Sequence, residues 1–365
     1  MRLTHFESLQ PVCPHCKQQH QHNTPLILAT ILQQQGDHII EAVLHCSDQS
    51  CQMEYPVIDG IPIIIADIRQ YLSDNFYHIN ARDDFSAVIE SILGDAAGPA
   101  TYQDSIRQQL STYSWDHYAD LDPDEEVEST SDLQPGGIVR FLSKGLSLSP
   151  DMSQAPAIDI GCSIGRSCFE LAKSGIGPVL GVDMNFPMLK IAQKILRSGR
   201  VSYPRRRTGI VYDRREFDVN FENANQVDFW CCDGMNLPFK DESFALVTGL
   251  NVIDSVASPV QLLHEISRVL KDQGQTLLAT PYDWSQAVTA LESWIGGHSQ
   301  RGDYNGASEP MLRTLFTPGE HQQSLNDMQI LAEVDNFPWH TRLHERSNVH
   351  YQTHLLVAQK NTAQI

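Results

Sequence analysis

Asp159-Ile160-Gly161-Cys162-Ser163-Ile164-Gly165 decides how this 365-residue chain is read. The apolar run AIDI (157–160) enters it and the helical pattern RSCFELA (166–172) leaves it, so it is a strand-to-helix turn. Glycines at 161 and 165 let backbone N–H groups approach a polar or anionic cofactor at the helix N-terminus. The full G-x-G-x-x-G of dinucleotide binders is absent, because Ser163 and Arg166 take the later positions.

Working downstream, short apolar runs alternate with helical patterns. VLGVD (179–183), VDFWCCD (227–233), FALVTGLNVI (244–253) and QTLLATPY (275–282) follow in order. Strands alternating with helices predict a parallel, doubly wound α/β sheet. MQILAEVDNFPWHTRL (328–343) and YQTHLLVAQ (351–359) read as an antiparallel pair at its edge. Asp183 ends the second strand, 22 residues after Gly161, where a carboxylate accepts from both ribose hydroxyls. Asp233 ends the third strand, where it could accept from an adenine amino group. Both acids lie at carboxyl ends of successive strands, the edge where such sheets bind ligands.

Working upstream, VCPHCKQQH (12–20) and LHCSDQSCQMEYPVIDGIPIII (44–65) frame a small module with a C-x2-C pair, 29 residues, and a C-x4-C pair. Cys13, Cys16, Cys46 and Cys51 supply four thiolates, enough for a closed tetrahedral structural zinc site; His15 or His45 is the alternative ligand. A module of about 65 residues has a small core, which a metal would stabilise. Cys162, Cys168, Cys231 and Cys232 sit in apolar or glycine-rich stretches and read as small buried hydrophobes.

Between the two lies a polar, acidic region with helical pieces such as DDFSAVIESIL (83–93) and YQDSIRQQLSTYSWDHYA (102–119). The run DLDPDEEVESTSDLQPGG (120–137) reads as a surface loop or linker. The boundaries expected are therefore 1–68 for the zinc-ribbon-like module, 69–135 for a helical and acidic linker region, and 136–365 for the catalytic domain.

Charge is unevenly spread. Net charge is −19, and residues 1–135 hold 21 acidic against 5 Lys and Arg side chains. An acidic chain repels phosphate backbones, so a nucleic-acid partner is not expected. The clusters Arg205–Arg207 and Arg214–Arg215 read as solvated loop. The first residues lack the apolar core of a signal peptide, and no apolar run nears the roughly 20 residues of a membrane span, so a cytoplasmic location is expected.

The order D-I-G-C-S-I-G, G-V-D, C-C-D-G and then Leu263 to Gly274, LHEISRVLKDQG, resembles the class I S-adenosylmethionine-dependent methyltransferases. The resemblance implies a Rossmann-like sheet of seven strands, the last antiparallel, with S-adenosylmethionine as cofactor. It implies a cofactor site at Asp159, Gly161, Cys162, Ser163, Gly165, Arg166, Asp183, Met184, Cys232, Asp233, Gly234 and Asn251. Residues 10–66, through the four cysteines and Tyr55-Pro56-Val57-Ile58-Asp59-Gly60-Ile61-Pro62, resemble the zinc-ribbon partner subunits that activate certain methyltransferases, which implies a scaffold role.

A narrower likeness covers about 157–359. GCSIGRSCFELA (161–172), GLNVIDSV (249–256), PYDWSQAVTALESWIGG (281–297) and FPWHTRLHERSNVHYQ (337–352) resemble the C-terminal methyltransferase domain of ovothiol synthases. This implies N-methylation of the imidazole ring of a thiol- or selenol-bearing histidine, supplied by a separate sulfur- or selenium-inserting enzyme. On this reading Asn251, Asp254, Tyr282, Asp283 and Trp294 line the acceptor site. Asp254 or Asp283 accepts the ring proton or binds the amino group, Arg342 or one of Arg205–Arg207 pairs with the carboxylate, and His344 relays a proton. The stretch 281–297 has apolar positions at helical spacing and a Gly-Gly stop, which predicts a helix whose end walls that pocket. The alternatives are a methyltransferase of a protein or RNA with the zinc ribbon as built-in activator, and a non-catalytic scaffold.

Overall fold

Strands that must be buried on both faces are built from unbroken apolar runs, and this chain has several. In the computed structural model, which describes residues 1–125, 133–149 and 156–361, thirteen strands form. They are β1 (Leu26–Gln35), β2 (His38–Cys46), β3 (Glu54–Ile58), β4 (Ile61–Ile64), β5 (Ala157–Ile160), β6 (Val179–Asp183), β7 (Arg200–Thr208), β8 (Val211–Asp218), β9 (Val227–Cys232), β10 (Phe244–Leu250), β11 (Leu270–Thr280), β12 (Met328–His344) and β13 (Ser347–Lys360). Every residue of β5 and β9 is buried.

Eleven strands make one sheet in the order β1-β2-β3-β4-β9-β6-β5-β10-β11-β13-β12. Its last seven members are the predicted class I methyltransferase sheet. β9, β6, β5, β10 and β11 run parallel, and β13 is antiparallel to both β11 and β12. Strand order reverses between β5 and β10, which opens a crevice at their carboxyl ends.

The N-terminal cysteine segment carries α1 (Leu3–Leu9), α2 (Pro14–His20) and the β1–β4 meander. It extends the main sheet: β4 pairs in parallel with β9, Ile63 opposite Cys231 and Ile64 opposite Cys232. The added strands cover what would be an open sheet edge. α2 also packs on the loop after β9, with Lys17 Nζ donating to the Leu237 carbonyl at 2.7 Å and to Glu265 at 2.6 Å.

The region expected as a linker forms α3 (Ile68–Asn80), α4 (Ala87–Ala97) and α5 (Tyr102–Tyr118), capped at their starts by Asp67, Ser86 and Thr101. It is not a solvated connection. Asp120 and Asp122 pair with Arg166 and Arg215, and Glu125 pairs with Arg342, so residues 120–125 are pinned to the body of the protein. Residues 126–132 of the expected loop lie outside the described residues, and its end, Gly137, opens the next helix. The arginine clusters are not loop either: β7 and β8 form a hairpin in which Arg205 and Arg214 pair with Asp213 and Glu90.

The remaining helices are α6 (Gly137–Leu148), α7 (Arg166–Lys173), α8 (Phe186–Ser198), α9 (Pro259–Val269) and α10 (Ser308–Leu315). No helix among the described residues is long and apolar enough to cross a membrane.

Candidate active site

The 159–165 turn is built as its glycines require. Gly161 has φ +73°, and a Cβ there would meet Val252 Cγ2 at 2.8 Å. Gly165, at φ +83°, lies against Phe229 at 2.4 Å from such a Cβ. Ser163, where many such loops carry glycine, also takes a left-handed φ of 53°. Its N–H donates to Asp183 Oδ2 at 2.9 Å and its Oγ lies 3.3 Å from Met188 Sδ, contacts that offset the strain. α5 braces the loop: the Tyr118 hydroxyl donates to the Ile164 carbonyl at 2.8 Å.

Two expected cofactor residues prove to be supports. Asp159 is buried beneath the turn and accepts from the hydroxyls of Ser167 and Thr248; burial pushes its carboxyl up to about 6. Its oxygens are spent on the loop's foundation. Arg166 turns toward α5, where its guanidinium bonds Asp120, Glu170 and the His117 carbonyl and lies over Tyr118. Its charge is already matched there. Cys162 and Cys232 are buried.

At the crevice itself, Asp183 accepts from Ser163 N on one oxygen and from Asn185 N, at 2.8 Å, on the other. Met184 beside it is exposed, its carbonyl held by the Tyr71 hydroxyl at 2.7 Å. Asp233 accepts from Met235 N at 2.9 Å, and a Cβ on Gly234 would meet Ile160 at 2.6 Å. Asn251 stands at the end of β10 with φ 57°, and both polar atoms of its amide are buried without a partner. A buried amide unpaired in the free protein is a ready contact for a ligand.

On the far side, Asp254 is buried and its Oδ2 accepts from Asp283 N at 2.8 Å. Burial pushes its carboxyl up to about 6 against those hydrogen bonds. Asp283 in turn accepts from the Tyr351 hydroxyl at 3.0 Å, and Tyr351 stacks on Trp339, whose Nε1 donates to Asp116. On α5, burial first, then the charges of Asp183, Asp254 and Asp116, raise the Tyr113 hydroxyl to about 12. Tyr113, Tyr351 and the Asp116–Trp339 pair were not legible as site residues. Tyr351 sat at the end of a distinctive stretch, whereas nothing in the pattern of α5 distinguishes Tyr113.

The stretch 281–297 does not form the predicted helix. Only Leu291–Ser293 makes a 3-10 turn, and Val288 and Leu291 are exposed. The carboxylate and carbonyl of Asp254 accept from the N–H groups of Asp283 and Ser285 and hold the start of the stretch against the 3-10 turn after β10. Trp284 and Trp294 stack at 5.8 Å, so the apolar spacing records a ring pair, not a helix face. The Tyr282 hydroxyl lies 2.7 Å from His354 Nδ1, and the other ring nitrogen of His354 lies 3.2 Å from Glu333 Oε1.

Two expected acceptor residues are placed elsewhere. Arg342 is paired with Glu125 and lies over Trp115. His344 is at the β12–β13 turn, where its Nδ1 accepts from Arg346 N at 3.2 Å. Arg205 and Arg207 both bond Asp213, and Arg206 bonds Gln108 and the Gly209 carbonyl. Arg205, Arg207 and Arg342 are ion-paired, and Arg206 is held by neutral acceptors.

Away from the crevice, the sulfur atoms of Cys13, Cys16, Cys46 and Cys51 lie within 4.8 Å of one another, with Cys13–Cys51 at 3.9 Å and Cys16–Cys46 at 3.6 Å. Four ligands held about 2.3 Å from a tetrahedral zinc stand roughly 3.8 Å apart. Burial raises the Cys16 thiol to about 11, which disfavours at that position the thiolate that a cation would stabilise.

Residues 158–278 match a protein family described as "Methyltransferase domain". Demethylmenaquinone methyltransferase of Lactiplantibacillus plantarum is 32% identical over 121 residues, 33% of this chain and 42% of that protein. Norajmaline N-methyltransferase of Rauvolfia serpentina is 24% identical over 159 residues, 42% of this chain and 47% of its own length. The chain thus spans less than half the length of these curated relatives. A solved Haemonchus contortus phosphoethanolamine N-methyltransferase 2, bound to S-adenosyl-L-methionine, covers 50% of this chain and 34% of its own at 22% identity and a TM-score of 0.34. The matched segment spans β5 to β11, the strands whose carboxyl ends form the crevice. Residues 158–278 match a methyltransferase domain and lie within a Rossmann-like sheet of the class I methyltransferase type.

Proposed function

We propose that this protein is an S-adenosylmethionine-dependent N-methyltransferase whose acceptor is the imidazole ring of a small thiol- or selenol-bearing histidine. The fit to the cofactor rests on three features. Gly161 leaves room where a Cβ would clash, Asp183 keeps acceptor capacity beyond its two N–H bonds, and the Asn251 amide lacks a partner. Asp183 would take the ribose hydroxyls, Asp233 the adenine amino group, and Asn251 with the Ser163 turn the methionine part.

The cofactor supplies an activated methyl group; the chain supplies position. Well-oriented geometry yields effective molarities on the order of 10⁵ M or more, which suffices for an in-line displacement. A thiolate is a better nucleophile than a ring nitrogen, so the pocket must hold sulfur away and aim nitrogen inward. Asp254 and Asp283 hold the charge or proton on the acceptor's far side.

The observation that carries this reading is convergence. Ser163, Asn251 and Asp254, Asp283, and Tyr351 come one stretch each from the four segments that resemble ovothiol-type methyltransferases, and hydrogen bonds link the last three stretches at one crevice. The four-cysteine cluster is read as a structural zinc site, with no open position for catalysis. Incubation with S-adenosylmethionine and 4-mercaptohistidine, followed by mass spectrometry, should show a singly methylated ring product. Methylation of a different acceptor with none of mercaptohistidine would overturn the assignment.

A further inference from the structure

Among the described residues three Lys and Arg side chains are buried: Arg107, Arg166 and Lys360. Arg166 pairs with Asp120 and Glu170, and Lys360 faces Asp327 at 3.8 Å. Arg107, 6% exposed, has neither an acidic partner nor a hydrogen bond among the described residues, and its Nε is buried without an acceptor. A buried charge without a partner is costly, and an anion delivered by a ligand would remove that cost.

The seat of Arg107 is built. Its guanidinium lies over the Tyr212 ring, with Cζ 3.9 Å from the centroid. Asp104, one turn earlier on α5, gives its oxygens to the Tyr212 hydroxyl at 2.9 Å, to Gln108 at 2.7 Å and to the Ala100 N–H at 3.4 Å, so it fixes the ring and not the guanidinium. α4 carries Gly94 at the contact, where a Cβ would come within 2.0 Å of Arg107 Nη1. Arg107 lines a cavity of about 410 Å³ between α4, α5 and the β7–β8 hairpin, with Val88, Ile92, Pro204 and Tyr212 as apolar wall. The acids on that wall are already matched, Glu90 by Arg214 and Asp213 by Arg205 and Arg207. Val88 and Ile92 stay exposed beside it. The cavity thus offers one unmatched positive charge and an uncovered apolar lining.

We infer that this cavity binds a small monoanion with an apolar body, an aliphatic or aromatic carboxylate, whose carboxylate pairs with Arg107. A guanidinium matches the planar, two-oxygen geometry of a carboxylate, and Val88, Ile92 and Pro204 would cover the apolar part. None of the lining residues belongs to the cofactor crevice, so the site is independent of the function proposed above.

The test titrates the full chain calorimetrically with octanoate and 3-phenylpropanoate, each beside its neutral alcohol, 1-octanol and 3-phenyl-1-propanol. At least one carboxylate should bind at one site per chain, about 10-fold or more tightly than its alcohol, the value of a hydrogen bond to a charged group. Arg107→Gln should remove that preference. Val88→Glu, a change at an exposed position that sets a like charge on the cavity wall, should weaken carboxylate binding, and a thermal melt establishes that each variant is folded. Should Arg107→Gln fail to fold, Val88→Glu and the acid–alcohol comparison decide. Binding of neither carboxylate, equal affinity for acid and alcohol, or an undiminished preference in folded Arg107→Gln would overturn the site.

Discussion

Asp183→Ala is the sharpest single test of the cofactor crevice. The carboxylate offers four lone-pair positions, and the structure fills two of them, with Ser163 N at 2.9 Å and Asn185 N at 2.8 Å. The other two match the adjacent hydroxyls of a ribose. Each hydrogen bond to a charged group contributes about 1.5–3 kcal/mol, so losing both should cost at least about 3 kcal/mol, or roughly 100-fold in affinity. Asp183→Asn keeps the size and one acceptor oxygen but not the charge, and should show an intermediate loss of about 10-fold. Calorimetric titration with S-adenosylhomocysteine reads the effect, and a thermal melt beside it establishes that each variant is folded. An alanine variant that binds within about 3-fold of the parent would refute the ribose assignment.

Other consequences follow from single features. Protein purified without chelator should carry one zinc per chain by elemental analysis, and Cys46→Ser or strong chelation should lower its unfolding temperature; a metal-free protein of unchanged stability would count against the cysteine site. Gly161→Ala should cost roughly 1–3 kcal/mol, read by denaturant unfolding, since its Cβ would sit 2.8 Å from Val252 Cγ2 at a left-handed φ; Val252→Ala in the same chain should recover the steric part. Asp254, raised to about 6 by burial, is protonated below that pH, so kcat/KM should climb between pH 5 and 7, and Asp254→Asn should abolish that limb. The same shift has a sign for stability. The folded state holds this proton up to about pH 6 and the unfolded chain only to about 4, so Asp254's contribution falls as pH rises across that window, and Asp254→Asn should flatten the slope.

The sheet was legible because its strands are short, apolar and bounded by turn residues, and Asp183 and Asp233 mark their carboxyl ends. The cysteines were legible from spacing alone. What escaped was set by tertiary partners. The spacing in 281–297 has the period of a helix, yet Trp284 and Trp294, which a helix would hold about 15 Å apart, stack on each other. Asp159 and Arg166 occupy motif positions, but their polar atoms are consumed by Ser167 and Thr248 in one case and Asp120 and Glu170 in the other. The acidic run near 120 looked like solvated loop because the arginines that pair with it lie far along the chain, at 166, 215 and 342. Local composition carries no signal for such pairs. The unbroken apolar run of β4 is consistent with a strand buried on both faces, but nothing in it names β9 as the partner.

Methyl transfer itself is read most directly by incubating the full chain with S-adenosylmethionine carrying a labelled methyl group and with 4-mercaptohistidine, and mapping the product by mass spectrometry and NMR. The expected product carries one labelled methyl on a ring nitrogen and a free thiol. A product methylated on sulfur, or no labelled product at saturating cofactor and acceptor, would contradict the assignment.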